Sequence, residues 1–383
     1  METRKLYYED SHLSRFTSAV LSCAKAADGW EVTLAATAFY PEGGGQAGDS
    51  GTLNGVRVRS TREREGAVIH LCEAPLEAGA EVTGVIDYDL RFARMQQHSG
   101  EHIVSGILNR RYGCHNTGFH MGADVITIDF DGVIPPQVLP EIEAEANGAV
   151  WKNLPVRCWY PSPEELPAIP YRSKKALAWP VRIVEIPGYD CCACCGTHVA
   201  ATGEIGLIKL LSAVSFRGGT RIEMACGSQA LALLNAAFDQ NRQVSQAFSA
   251  KITETGEAAR RMNELLSAQK YRMAGLEKRV FAGIAESYGN RGNVLHFEEG
   301  LSADDVRELA DAIADKCGGT AAVFSGSDGG YAYCLIARQG DLRQLGRDMT
   351  AALHGRGGGK PLCQQGRVQA AKEEIEAFFA SRQ

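Results

Sequence analysis

Two pairs of metal-ligating residues, far apart in the chain, set the strongest condition on its fold. His98 and His102 stand four residues apart in Met95-Gln96-Gln97-His98-Ser99-Gly100-Glu101-His102, and Cys194 and His198 stand four apart in Cys194-Cys195-Gly196-Thr197-His198. On a helix, residues at i and i+4 share a face, so two imidazoles at that spacing can grip one ion. A thiolate and a third imidazole brought in from the downstream segment complete the tetrahedral set that zinc prefers. A fold that uses both pairs must deliver a helix and a remote segment to one point, and such a site points to metal-dependent hydrolysis. A rival reading uses the same stretch. His98-Ser99-Gly100-Glu101-His102 also spells H-x-x-E-H, in which Glu101 is the general base of a zinc peptidase and the third ligand is a downstream Glu. No compelling third carboxylate stands out, whereas Cys194 and His198 supply two good ligands. If Glu101 lies on the solvent side, it is a surface charge only.

The chain has 383 residues, enough for two to four domains, and its 45% hydrophobic and 22% charged content is that of a globular protein. No apolar run approaches the roughly 20 residues that span a bilayer. The opening Met1-Glu2-Thr3-Arg4-Lys5-Leu6-Tyr7-Tyr8 has no apolar core of a secretory signal. A cytoplasmic, reducing setting is therefore expected, in which the twelve cysteines serve metal binding, catalysis or packing more than disulfides. A net charge of −6 argues against a basic surface everywhere, but a local basic patch can still hold phosphates.

The pattern along the chain predicts an α+β protein in four parts. Residues 1–91 carry short alternations broken by Gly and Asp, such as Gly55-Val56-Arg57-Val58 and Ala67-Val68-Ile69-His70-Leu71, and read as a small β-barrel. Residues 92–227 read as an α+β core: a helix over 90–112 holding the His pair, a strand over 125–130, a helix over 136–152, and a strand over 181–186 running to the Cys cluster. Residues 228–288 read as a long helical hairpin, with Leu231, Leu234, Phe238, Met262, Leu265, Leu276 and Val280 at helical spacing and a break near Thr255-Gly256. That hairpin can pair with a second copy of itself or serve as an intrachain spacer. Residues 289–383 read as a small α/β domain.

Three further groups bear on chemistry. Cys191, Cys192, Cys194 and Cys195 offer two C-x-x-C spacings, but no second C-x-x-C completes a four-cysteine site. Cys114, Cys226, Cys317, Cys334 and Cys363 read as packing residues. Gly43-Gly44-Gly45-Gln46 lets backbone approach a ligand closely, without matching a Walker or dinucleotide loop. Gly357-Gly358-Gly359-Lys360 reads as a loop in a basic stretch with Arg338, Arg343, Arg347, Arg356, Arg367 and Lys372, suited to phosphates or an RNA backbone.

Taken in order, Phe39-Tyr40-Pro41-Glu42-Gly43-Gly44-Gly45-Gln46, His98-x3-His102, Cys194-Cys195-Gly196-Thr197-His198 and Arg221-Ile222-Glu223 resemble the editing domain of alanyl-tRNA synthetase and its free-standing relatives, the alanyl-tRNA editing hydrolases. Gly357-Gly358-Gly359-Lys360-Pro361 with Gln365-Gly366 resembles the C-terminal domain of the same synthetase. With no room for an aminoacylation domain, the chain resembles the long free-standing form. The resemblance implies a zinc-dependent hydrolase acting on tRNA(Ala) that carries the wrong amino acid, chiefly serine and also glycine, because a pocket built for alanine rejects its near neighbours poorly. It implies zinc ligands His98, His102, Cys194 and His198. It implies that Thr37 reads the serine hydroxyl, that Gly44, Gly45 and Gln46 position the aminoacyl end, and that Arg356, Gly357, Gly358, Gly359, Lys360 and Gln365 contact the tRNA. A catalytically inactive tRNA-binding module is the non-enzymatic alternative. The chain departs from the family at Cys195, where relatives commonly have Gly, and at Leu362-Cys363-Gln364-Gln365-Gly366-Arg367, where they show Asp and then Ala-Gln-Gly-Gly.

Overall fold

The structure, a computed structural model, describes residues 2–122, 125–173 and 179–382. It divides into two compact units, Met1–Gln243 and Val244–Gln383.

The first unit opens with β1 (Arg4–Lys5), α1 (Leu6–Glu9), β2 (Arg15–Ala26), β3 (Gly29–Leu34) and β4 (Ala36–Thr37), the last paired in parallel with β1. After the glycine loop follow β5 (Gly51–Leu53), β6 (Val56–Arg64), β7 (Ala67–Cys72) and β8 (Glu81–Ile86). Six of these strands form a closed antiparallel ring in the order β2-β3-β7-β6-β5-β8, with β8 pairing back on β2. The period-2 alternation that marks half-buried strands is visible in β2, where Phe16, Ser18 and Val20 turn inward. Phe16 and Val20 meet Val32, Leu34, Phe39, Leu53, Val58, Val82 and Ile86 in the ring's own core.

Beyond the ring come α2 (Tyr88–Tyr112), β9 (Asn116–Met121), β10 (Ile126–Phe130), α3 (Leu139–Trp151), β11 (Arg157–Trp159), β12 (Ile183–Ile186), β13 (Asp190–Ala193), β14 (Ile208–Phe216) and β15 (Gly219–Cys226). They make a four-stranded sheet, β14-β15-β10-β9, and a three-stranded one, β11-β12-β13. Ile103, Val104, Ile107 and Leu108 of α2 pack with Ile126 and Ile128, Ile142 and Ala146, and Ile222 and Met224 in one core. A helix on a protein surface keeps a polar face toward water. Helix α2 does not: every residue from Met95 to Leu108 is buried, including Gln96, Gln97, His98, Ser99, Glu101, His102 and Ser105. Its polar side therefore faces groups inside the protein. Arg91, in the first turn, is fully buried and tied to Asp49 and to the Ala38 and Ser11 carbonyls, which fastens α2 to the ring. Gly113, at φ 66°, ends the helix in the left-handed conformation that favours glycine. Helix α4 (Gly227–Ala247) leads out of this unit.

The second unit contains α5 (Thr255–Glu286), β16 (Gly292–Glu298), α6 (Ala303–Cys317), β17 (Gly318–Ser327), β18 (Gly330–Ala337), α7 (Arg343–Ala352), β19 (Arg356–Lys360), β20 (Cys363–Val368) and α8 (Lys372–Ala380). Its sheet runs β16-β17-β18-β20-β19. Only the β16–β17 pair is parallel, and α6 makes the crossover that a parallel pair requires. Helix α6 starts at a capping box in which Ser302 and Asp305 satisfy each other's backbone N–H. The two sheet faces build separate cores, one with Phe281 of α5 and Leu309 and Ile313 of α6, the other with Met349 of α7 and Ile375 of α8.

The mixed α+β class expected from the sequence is what the structure shows. The two long helices are also present, but Thr255-Gly256 opens the second helix and the break lies at 248–254. The run Gly357-Gly358-Gly359 is an edge strand, not a loop: Gly357, Gly358 and Gly359 pair with Gly366, Gln365 and Gln364. Runs of glycine read as turns because they lack strand propensity. Here a Cβ on Gly357 would fall 2.2 Å from the Tyr333 hydroxyl, so close approach requires the glycine.

Candidate metal centre

The structure brings the two ligand pairs together. The ligand atoms of His98, His102, Cys194 and His198 all lie within 4.8 Å of one another. His98 Nε2 is 3.4 Å from Cys194 Sγ. The imidazole centroids are 5.3 Å apart for His98 and His102, 4.5 Å for His98 and His198, and 4.7 Å for His102 and His198.

Helix α2 supplies the first pair through the i, i+4 face. The second pair rides on the segment after the β12–β13 hairpin, which packs on α2 where side chains are missing. A Cβ on Gly106 would fall 2.1 Å from the Tyr189 carbonyl, and one on Gly196 would fall 2.1 Å from His98 Cε1. The Arg182 guanidinium donates to the Cys194 and Gly196 carbonyls, both at 2.9 Å, and stiffens the Cys194–His198 segment.

Each ring has a partner at Nδ1. The His102 Nδ1–H donates to Asp190 at 2.8 Å, and Arg172 holds that carboxylate at 2.6 and 2.8 Å. His98 Nδ1 is 3.1 Å from the acceptor Gln46 Oε1, and His198 Nδ1 is 3.3 Å from Ser99 Oγ. Partners at Nδ1 fix the ring orientation and leave Nε2 to a metal, the usual arrangement around a metal-ligating histidine. His198 Nε2 is sealed from solvent and has no hydrogen-bond partner. An orphaned imidazole nitrogen beside a thiol and two more imidazoles is what a soft, tetrahedral cation would satisfy. The electrostatics agree. Burial pushes the Cys194 thiol up, but its interactions with the neighbouring His98, His102 and His198 imidazoles outweigh it and hold the thiol well below its ordinary value. Burial and the neighbouring His98 push His198 down to about 3, so its ring stays neutral, the form that ligates metals.

The other expected site residues are placed as follows. Gly44 lines a cavity of about 390 Å³ beside the cluster, together with His98, Glu101, His102, Asn116 and Arg182. Gly44 and Gly45, at φ 61° and 85°, form the tight turn that only glycine makes easily. The turn presents Gln46 inward, where it is 1% exposed; its Nε2 donates to Thr197 Oγ1 at 2.8 Å and its Oε1 meets His98 and the Thr197 N–H. Gln46 thus orients a member of the cluster and couples the glycine loop to the Cys194–His198 segment. Thr37 is buried in β4, bound through Oγ1 to His70 Nε2 at 2.8 Å and accepting from the Phe39 N–H. Arg356, Gly357, Gly358, Gly359, Lys360 and Gln365 lie exposed along the β19–β20 edge of the second unit.

Several residues of the centre carried no sequence signal. Asp190 and Arg172 stand apart from any motif, although Asp190 directly precedes the Cys run. Ser99 lies between the two histidines but reads as a helix residue. Glu101, a general base in the peptidase reading and a surface charge only if it faced solvent, is 3% exposed and lines the cavity; its Oε1 accepts from Ser105 Oγ and Asn116 Nδ2, both at 2.5 Å. Among the described residues the four-ligand group contains no carboxylate, which leaves the H-x-x-E-H peptidase arrangement without its third ligand.

Comparison with known proteins places this architecture. Residues 181–223 match the second additional domain of threonyl and alanyl tRNA synthetases, and residues 3–90 match class II (A) tRNA synthetases. The alanyl-tRNA editing protein AlaX-L of Pyrococcus horikoshii is 28% identical, across 97% of this chain and 96% of its own length. The alanyl-tRNA editing protein Aarsd1 of Danio rerio is 25% identical over the same shares of the two chains, 97% and 96%. The alanine–tRNA ligase of Thermofilum pendens is 33% identical across 97% of this chain, which spans 43% of the ligase's length. The chain is thus similar end to end to the free-standing alanyl-tRNA editing proteins, and it spans less than half the length of the ligase.

Proposed function

We propose that this protein is a zinc-dependent hydrolase that works in trans and deacylates tRNA(Ala) carrying the wrong amino acid, chiefly serine and also glycine. The observation that carries the reading is the donor set: one depressed thiol and three imidazoles, each with a partner at Nδ1, beside a cavity. His98, His102, Cys194 and His198 would hold the zinc, which would supply Lewis acidity to a water if it kept an open position and would position the substrate if the four ligands closed the site. The chain's own residues do the rest. Asp190, Gln46 and Ser99 hold the rings. Gly44, at the cavity wall, lets the aminoacyl end approach backbone closely. In the reaction the bond between the acyl carbon and the ribose oxygen breaks; water supplies hydroxide to the acyl carbon and a proton to the ribose oxygen. In this assignment the β19–β20 edge with Arg356, Lys360 and Gln365 holds the tRNA backbone. No helix among the described residues is long and apolar enough to cross a membrane, which accords with a cytoplasmic enzyme. The long helices α4 and α5 expose Leu231, Phe238, Leu265 and Leu276, which suits pairing with a second copy.

The direct experiment follows deacylation of Ser-, Gly- and Ala-tRNA(Ala). Wild type clears the serine and glycine esters and spares alanine, while His102→Ala and Cys194→Ala lose bound zinc and the activity together. Activity that survives Cys194→Ala, or an equal rate on all three esters, rejects the reading.

A further inference from the structure

Glu101 and Asn116 line the cavity beside the ligand cluster, and the proposed reaction gives neither a task. Asn116 is 5% exposed, and its orientation follows from its neighbours. A carboxylate oxygen can only accept, so Asn116 presents Nδ2 to Glu101 Oε1, at 2.5 Å, and to Ser105 Oγ, at 3.2 Å. Its Oδ1 is consequently left sealed from solvent with no hydrogen-bond partner. A buried carbonyl oxygen without a donor costs free energy unless a ligand fills the gap. Glu101 lies beside it and is held in place by Ser105 and Asn116, and its Oε2 is 4.0 Å from His102 Nε2, which ties this acceptor pair to the ligand cluster.

We infer that Glu101 and Asn116 form the receptor for the α-ammonium group of the aminoacyl ester. The inference rests on the editing reading of the same site and names the part of the substrate that the site grips. An α-ammonium offers three N–H donors and a positive charge, which match one carboxylate and one orphaned carbonyl oxygen. It also sets the register of the reacting group: the α-nitrogen is about 2.5 Å from its own carbonyl carbon through two bonds of fixed length and angle. An ammonium seated on Glu101 Oε2 therefore holds the ester carbonyl next to His102 and the cluster. The site then selects esters of free amino acids and disfavours acyl groups that lack the charge.

The test compares seryl-tRNA(Ala) with its α-hydroxy analogue, 2,3-dihydroxypropanoyl-tRNA(Ala), which keeps size and side chain and loses only the ammonium. Each rate is divided by the uncatalysed hydrolysis of the same ester in the same buffer. The wild type is expected to prefer the amino ester by about 10- to 100-fold in kcat/KM, the range of a hydrogen bond to a charged group. In Glu101→Gln that ratio falls toward one. A loss that is only structural lowers both esters together and leaves the ratio where it was, which overturns the inference. So does a wild type that treats the two esters alike, a result that needs no variant to fold and leaves the editing reading standing. A wild type that hydrolyses neither ester overturns both.

Discussion

At the scale of single residues, the Thr37–His70 hydrogen bond is a folding contact sealed in the strand ring, since Thr37 is 0% exposed and is not among the residues lining the cavity beside the ligand cluster. His70 is fully buried in the strand ring; its Nδ1–H donates to the Val32 carbonyl at 3.0 Å, so Nε2 carries the lone pair that accepts from the Thr37 hydroxyl. A proton on Nε2 would collide with that donor in a fully buried site. Burial accordingly pushes the His70 imidazole down from 6.5 to about 4. Between those two values the unfolded chain binds a proton that the native chain refuses, so the native state loses stability as pH falls through this window and keeps it in full above about pH 6.5. The term amounts to about 3 kcal/mol by the time pH reaches 4. Urea titrations of wild type and His70→Gln across pH 7 to 4 are expected to show the wild type losing that much more than the variant; parallel curves would reject the assignment. The same scale shows what a sequence hides. His98, His102, Cys194 and His198 were legible because spacing alone pairs them. Asp190, Ser99 and Gln46 complete the centre through contacts made by residues up to 151 positions apart, as in the Gln46–Thr197 bond, and no local pattern encodes such contacts. The place of Glu101 stayed open in the sequence for a related reason: helical periodicity cannot tell a polar face toward water from a polar face toward a built site.

At the scale of elements, helix α2 carries the site because it is buried on all sides, and glycine lets that happen. The helix was readable from its apolar repeat, and its ends fall within two residues of expectation, at Tyr88 and Tyr112. What the repeat does not convey is how near the neighbouring segments come. Gly106 stands against the Tyr189 carbonyl of the β12–β13 hairpin, and a Cβ there would be 2.1 Å from backbone that has nowhere to go. Gly106→Ala should therefore push the hairpin, and Cys194 with it, away from α2. Overpacking of this kind costs about 1–3 kcal/mol. The expected result is a lower denaturation midpoint together with weaker zinc retention against a chelator. Gly148 in α3 is the matched control, since a Cβ there meets nothing within 4 Å and helical Ala is preferred over Gly by about 0.5–1 kcal/mol. Gly148→Ala should thus be neutral or stabilising with zinc retained. A Gly106→Ala variant as stable and as zinc-loaded as the wild type would contradict the packing argument. The misread Gly357–Gly359 run makes the same point in a sheet, where glycines permit the β19–β20 edge to lie against Tyr333.

At the scale of the whole molecule, the chemistry and the basic edge belong to different compact units, Met1–Gln243 and Val244–Gln383. If the second unit grips the tRNA backbone, its residues should act on binding and not on the chemical step. The molecule as a whole is acidic, at −6, so affinity for a polyanion has to come from a local group of cations. Arg356 and Lys360 are exposed at the two ends of β19, the outermost strand of the sheet. Phosphate contacts are recognised by their salt dependence: each one lost lowers the slope of log K against log salt by about one. Arg356→Ala with Lys360→Ala is therefore expected to raise KM for seryl-tRNA(Ala) and flatten that slope by about two, with kcat within about twofold of wild type. Seryl-adenosine, a substrate with no tRNA backbone, should be hydrolysed by wild type and double variant alike. An unchanged salt slope would place the tRNA contacts elsewhere on the chain. A fall in kcat with KM unchanged would instead mean that this edge acts at the transition state, which a surface confined to backbone phosphates cannot do.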